Sequence, residues 1–246
     1  MPDSISWRLA TVAALRDETP TVRTFTLRIP GWPGHRPGQH VDIRLTAEDG
    51  YSVERSYSIG SEPERAGEID LTVERIAEGE VSSFLHDVVV AGDRIEVRGP
   101  IGGYFAWDAG LGGSLFLVAG GSGVVPLMAM LRHRARVPSP PSASLIFSSR
   151  QYEDIIYRDE LELLAARDDR LRIAHTLTRS QPSGWTGYTR RIDQAMLGEA
   201  VAPLGNGVRA FICGPTALVE TAANALLRLG LPADRIRTER FGPTGT

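Results

Sequence analysis

Two patterns of apolar and polar positions divide the chain. Up to about residue 107 they alternate with period two. Phe25, Leu27 and Ile29 alternate with Thr24, Thr26 and Arg28, and Val41, Ile43 and Leu45 with His40, Asp42 and Arg44. Ile69, Leu71 and Val73 alternate with Asp70, Thr72 and Glu74, and Ile95 and Val97 lie between Arg94, Glu96 and Arg98. Such alternation predicts half-buried antiparallel strands. Turn clusters such as Pro30-Gly31-Trp32-Pro33-Gly34 and Glu48-Asp49-Gly50 separate them. Short strands at this spacing predict a small antiparallel β-barrel.

Beyond the glycine-rich stretch 108–113 the pattern changes. Residues 115–119 form a continuous apolar run, as a parallel strand buried on both faces requires. A glycine loop and a helix over 125–136 follow, then strand 145–148, helix 159–167, strand 171–177, strand 208–213, helix 216–229 and a short strand 236–240. Strands alternating with helices predict an open, doubly wound parallel α/β sheet. The expectation is two domains, 1–107 and 114–246, with a hinge at 108–113.

Composition narrows the function. A length of 246 residues accommodates two domains, and a formal net charge of −3 argues neither for nucleic acid nor for an anionic membrane surface as a partner, and neither is expected. No window reaches the ~20 apolar residues of a membrane span, and the first twenty residues lack a signal-peptide apolar core. A cytoplasmic protein is expected. Cys213 is the single cysteine, so the chain carries neither a four-thiolate iron–sulfur cluster nor an internal disulfide. The five histidines show no metal-ligand spacing, and no metal site is expected.

Candidate chemistry lies in short motifs. In Arg55-Ser56-Tyr57-Ser58, at the start of an expected strand, Arg55 and Tyr57 share a face. A guanidinium there suits a pyrophosphate and a phenol ring suits a flat heterocycle, although an edge strand with an exposed Arg and a packed Tyr reads the same way. Gly79-Glu80-Val81-Ser82-Ser83 follows the strand Leu71-Thr72-Val73-Glu74-Arg75. Ser82 reads as the N-cap of an amphipathic helix, whose free N–H groups would attract phosphate. Gly120-Gly121-Ser122-Gly123-Val124-Val125-Pro126 joins a buried strand to a helix, the context of a dinucleotide loop, without the Rossmann spacing. Cys213-Gly214-Pro215 closes a later strand, where a lone cysteine is ordinarily a buried structural one.

In this order, over residues 7–241, these motifs resemble the ferredoxin–NADP⁺ reductase family of flavoenzymes. The resemblance implies an FAD barrel domain and an NAD(P) α/β domain, with hydride passing from nicotinamide to flavin and electrons passing onward. It implies that Arg55, Ser56, Tyr57 and Ser58 hold the flavin and its pyrophosphate, with Ser58 near the hydride-accepting nitrogen. Thr72, Val73 and Arg75 would lie along the flavin, and Gly79, Val81, Ser82 and Ser83 would hold the FAD pyrophosphate. Glu74 stands where many relatives carry a lysine. Gly121, Ser122 and Gly123 would admit the nicotinamide nucleotide, with Cys213, Gly214 and Pro215 beside its ring. Enzymes of the family that use NADP place basic side chains where this chain has Arg150, Thr178-Arg179 and Arg191, so NADPH is expected rather than NADH. Glu239-Arg240-Phe241 resembles the ending of the flavohaemoglobin and aromatic-oxygenase reductase branches, which places Phe241 over the flavin and Glu239 close by. Ser58, Cys213, Glu239 and Phe241 are thus the expected catalytic residues. The expected partner of this monomer is an electron-acceptor protein, ferredoxin-like or an oxygenase component. Alternatives are a free flavin or ferric reductase and an electron-transfer subunit of a larger dehydrogenase.

Overall fold

In the computed structural model, which describes residues 6–241, the alternating half forms six antiparallel strands. They are β1 (Trp7–Thr19), β2 (Val22–Arg28), β3 (His40–Thr46), β4 (Ser52–Ser58), β5 (Glu68–Glu74) and β6 (Arg94–Ile101), and helix α1 (Glu80–Asp87) stands between the last two in sequence. Their order in the sheet is β4-β3-β6-β1-β2-β5. An antiparallel bridge between Ile59 and Leu71, and the Gly60 N–H donating to the Asp70 carbonyl at 2.8 Å, join the end of β4 to β5 and curl the sheet on itself. Phe25, Leu27, Val41, Ile43, Ile69, Leu71, Ile95 and Val97 all enter the core, as the alternation predicts, and Val81 and Leu85 of α1 join them.

Sequence pattern alone misses β1. Its pairing with β2 shifts register twice, between Val12 and Ala14 and between Asp17 and Thr19. Each irregularity interrupts the inside–outside alternation, so a thirteen-residue strand shows no period-two signal.

The second half contains β7 (Leu115–Gly120), α2 (Val124–Arg134), β8 (Ala143–Ser149), α3 (Arg158–Arg167), β9 (Leu171–Leu177), α4 (Gln194–Val201), β10 (Arg209–Pro215), α5 (Thr216–Arg228) and β11 (Ile236–Phe241). All five strands are parallel, in the order β11-β10-β7-β8-β9. Every residue of β7 is buried, as its unbroken apolar run requires. The chain steps outward from β7 to β9, then returns to the other side of β7 as β10. The carboxyl ends of β7 and β10 therefore mark the point where strand order reverses, the usual ligand crevice of open α/β sheets. Phe116, Val118, Ile146 and Ile212 pack against Met196 and Leu197 of α4 and Val219, Ala222 and Leu226 of α5.

Some boundaries differ from expectation. Helix α2 ends at Arg134 rather than 136. Helix α4, unexpected from the sequence, has only eight residues and starts where the Asp193 side chain accepts from the Met196 N–H at 2.8 Å. By its contacts the chain divides into two compact units, residues up to Trp107 with Met128–His133, and Asp108–Leu127 with the remainder from Arg134.

Candidate functional site

In the second unit the two glycine motifs meet at the strand-order reversal. A Cβ on Gly123 would lie 2.2 Å from the Cys213 carbonyl oxygen and 2.8 Å from the Gly214 nitrogen. The turn after β7 thus rests backbone to backbone on the last residues of β10. Gly121 has φ +54°, and a Cβ there would meet nothing within 4 Å. This glycine faces open space ahead of the first turn of α2, so an anion could approach the helix N-terminus closely. An opening of this kind could admit a nucleotide pyrophosphate. Ser122 is half-buried beside it.

Cys213 is 2% exposed and stands in register with Glu239 of β11. Burial pushes its thiol pKa well up, and the neighbouring Glu239 charge adds to the shift, so the group is a thiol at neutral pH. It is a small apolar wall rather than a nucleophile. Burial also raises the Glu239 carboxyl to about 7. Phe241 pairs with Pro215 at the end of β11 and is 37% exposed.

Arg150 and Arg179 follow adjacent strands, and the Arg179 N–H donates to the Arg150 carbonyl at 2.8 Å. Both Thr178 N–H and Oγ1 reach the Ser149 carbonyl, at 3.0 and 3.2 Å, which fixes the relative height of the two strand ends. Arg191 is exposed in the loop before α4; its neighbour Arg190 is taken by Asp193. Among the described residues no carboxylate pairs with Arg150, Arg179 or Arg191.

In the first unit, Arg55-Ser56-Tyr57-Ser58 ends β4 rather than starting a strand, which corrects the sequence reading. Arg55 is exposed, its guanidinium bonded to the Glu54 carbonyl, and Tyr57 is half-buried against the barrel core. Burial pushes the Tyr57 phenol up to about 12, against the opposing charge of Arg55, so the ring is neutral and flat for stacking. These two side chains suit a flavin and its pyrophosphate. Ser56 turns to the other face, where its hydroxyl donates to Asp42 at 2.6 Å. Ser58 is half-buried in register with His40, whose imidazole pKa is lowered by burial. Nothing in the spacing singled out His40, since only the strand register brings it to Ser58.

Helix α1 begins at Glu80 with Gly79 as N-cap, so the reading of Ser82 as N-cap is wrong. Ser82 lies inside the first turn, 4% exposed, accepting from the Ile76 N–H at 3.2 Å and donating to the Gly79 carbonyl at 3.1 Å. Only a glycine fits at 79, because a Cβ would lie 2.4 Å from Ser82 Oγ. Ser83 donates to the Ile76 carbonyl. Val81 and Val73 are core residues, and the Val73 carbonyl is bonded to His86. Thr72 is buried with its hydroxyl 2.7 Å from that of Thr24, and Arg75 pairs with Asp87 at 2.8 Å. Tyr51, absent from the sequence reading, hydrogen-bonds Glu80 and so links the start of β4 to α1.

Among the described residues no helix is long and apolar enough to cross a membrane, and no cluster of His, Cys, Asp and Glu is placed to hold a metal.

Comparison with known proteins matches both units. The oxidoreductase FAD-binding domain profile matches residues 10–106 and the oxidoreductase NAD-binding domain profile residues 117–224. The chain is 34% identical over 238 residues to ferredoxin–NADP reductase B of Sorangium cellulosum, covering 94% of this chain and 96% of that protein. It is 35% identical over 231 residues to the glycine betaine monooxygenase reductase subunit of Pseudomonas aeruginosa, covering 92% of this chain but 62% of the relative, less than two thirds of its length. The flavohem-like FAD/NAD binding domain of nitric oxide dioxygenase from Vibrio cholerae superposes with a TM-score of 0.84 at 23% identity, covering 96% of this chain and 99% of that one, a likeness of fold.

Proposed function

The chain belongs to the FAD- and NAD(P)-binding oxidoreductases of ferredoxin–NADP⁺ reductase type, and from that premise we propose that it is an NADPH-preferring reductase serving a separate acceptor protein, a ferredoxin or the iron–sulfur component of an oxygenase. When bound, FAD supplies the redox chemistry, taking a hydride from the nicotinamide and releasing electrons singly. The side chains and backbone supply binding and alignment. Arg55 neutralises the flavin pyrophosphate and Tyr57 offers its ring. The first-turn N–H groups of Glu80, Val81 and Ser82, rather than the Ser82 hydroxyl or the Gly79 and Ser83 N–H groups, which bond to the Ile76 and Gly79 carbonyls, would hold the phosphate. Gly121 and Gly123 leave room for the nicotinamide nucleotide, and Cys213 lines it as a neutral thiol. Glu239 carries a proton about half the time near pH 7, and Phe241 provides a ring that must yield to the nicotinamide.

The observation that carries the NADPH reading is the pair Arg150 and Arg179 at adjoining strand ends, with no carboxylate partner among the described residues. Two guanidiniums suit a 2′-phosphate dianion through charge-assisted hydrogen bonds. Steady-state kinetics test it: kcat/KM should favour NADPH over NADH, and replacing both arginines by alanine should remove the preference by raising KM for NADPH. Equal kcat/KM for the two nucleotides in the natural enzyme would overturn it. The acceptor reading draws on the relatives, which are named as a monooxygenase reductase subunit and a ferredoxin–NADP reductase. A lone thiol suits a reducing cytoplasm. Gel filtration should give a monomer.

A further inference from the structure

Helix α1 turns Val81 and Leu85 into the barrel core, yet Phe84 and Val88, one turn apart, form a second apolar stripe facing outward. Phe84 is 41% and Val88 56% exposed, and the stripe continues through Val90 at 59%. Ile76, 52% exposed, lies at its other end, against the helix start, where a Cβ on Gly79 would come 2.9 Å from the Ile76 Cβ. Four large exposed apolar side chains around an eight-residue helix are a concentrated patch, of the kind that marks interaction sites.

The charges around it have one dominant sign. Between residues 74 and 94 stand Glu74, Glu78, Glu80, Asp87 and Asp93 against Arg75 and Arg94, and Arg23 of β2, paired with Asp17 at 2.6 Å, reaches the helix end by donating to the His86 carbonyl. Arg75 is committed to Asp87 through two bonds, at 3.0 and 2.8 Å. Glu48 and Asp49, in the exposed hairpin beside Tyr51, extend the acidic rim, and Tyr51 itself reaches Glu80. The cation that acts on Tyr51 is Arg55, the side chain assigned above to pyrophosphate.

We propose that this face of α1 is a docking surface for a protein that presents lysine and arginine around an apolar centre. The proposal rests on the reading that electrons leave for a separate acceptor protein, and it names the charge of that acceptor. An apolar centre inside a charged rim is the usual anatomy of a transient interface, with the rim setting encounter rate and partner choice. An acidic acceptor would meet carboxylates of its own sign here.

The test uses FAD-loaded protein and two probes of opposite charge, a basic c-type cytochrome and an acidic two-iron ferredoxin. Binding is read by fluorescence anisotropy at low and high salt, and turnover by NADPH-driven reduction of each probe and of ferricyanide. The cytochrome should bind at low salt and be released at high salt. Phe84→Ser with Val88→Ser, and separately Glu78→Lys, should each weaken its binding about tenfold, while ferricyanide reduction is unchanged. Tighter binding of the ferredoxin, or cytochrome binding indifferent to both variants, would overturn the proposal. Brisk ferricyanide reduction with neither protein reduced would instead overturn the acceptor-protein reading, and the binding data would still decide the docking face.

Discussion

The nucleotide turn and the flavin loop are both glycine–serine motifs at the start of a helix, but they are built differently. In the turn after β7 the decisive contact is backbone on backbone, with Gly123 seated on the carbonyl of Cys213. Any larger residue is excluded whatever its chemistry, so the glycine spacing alone reveals the geometry. In the loop before α1 the decisive contacts are made by hydroxyls. Ser82 and Ser83 both bond back to Ile76, and these same hydroxyls are what the sequence offers to a phosphate. A motif built on missing side chains can therefore be read from its letters, whereas one built on hydroxyls depends on which partner wins.

The largest effect is expected where backbone meets backbone. In Gly123→Ala the new methyl would stand 2.2 Å from the Cys213 oxygen and 2.5 Å from its carbonyl carbon, neither of which can rotate away. The end of β10 must shift, at about 3 kcal/mol, and nucleotide binding should be lost with it. Gly121→Ala is the control for the fold alone. In the unloaded protein its Cβ meets open space and bears only the strain of a positive φ, about 1–2 kcal/mol, although its methyl would enter the opening proposed for the nucleotide. Urea melts of the two variants without nucleotide decide the point. Equal losses would remove the contrast between them.

Arg55→Ala tests the side chain in the first unit that the fold leaves exposed. Its guanidinium bonds only the adjacent Glu54 carbonyl among the contacts seen, so the unloaded protein should melt unchanged. A lost charge-assisted bond of about 1.5–3 kcal/mol should weaken FAD binding roughly 10- to 100-fold. FAD fluorescence titration measures it. Destabilised unloaded protein with unchanged FAD affinity would make Arg55 part of the fold instead.

Ser82→Ala sharpens the comparison from the other side. Removing the hydroxyl leaves the Ile76 N–H without its acceptor, at a cost of about 1–3 kcal/mol. The folded protein should still bind FAD with its natural affinity if, as proposed, backbone N–H groups of the first turn rather than this hydroxyl hold the phosphate. Unchanged stability with weakened FAD binding would return Ser82 to the ligand shell.

The same distinction explains what could be read from residues alone. Period-two alternation exposed β2, β3, β5 and β6, and an unbroken apolar run exposed β7, because burial on one face or two leaves a pattern in the sequence. Strand β1 stayed hidden behind its two register shifts, and α4 behind its brevity. At the flavin motif, alternation placed Arg55 and Tyr57 together, but Ser56 went to Asp42 of a neighbouring strand, a partner fourteen residues away that no local pattern announces. Thr72 met Thr24 by the same long-range route. The pairing of Cys213 with Glu239 likewise depends on β10–β11 register. Family resemblance named both residues, but the burial that alters their protonation belongs to the folded sheet.

Glu239 gives an effect that only a pH profile reveals. Its carboxyl is raised from 4.5 to about 7 by burial beside Cys213. Below pH 4.5 the group is protonated in both folded and unfolded chains and its contribution to stability is fully present. As pH rises toward 7 the unfolded chain releases the proton while the folded one retains it, which favours unfolding. Above 7 the folded protein ionises as well, and the loss levels off. Glu239→Gln removes this component and leaves every other titration in place. The melting temperature of the variant minus that of the natural protein should therefore climb between pH 4.5 and 7 and then flatten. The slope belongs to the buried carboxyl even if the amide shifts the baseline. Parallel profiles across that window would mean that Glu239 titrates as an exposed glutamate does, and that β11 does not shield it from water.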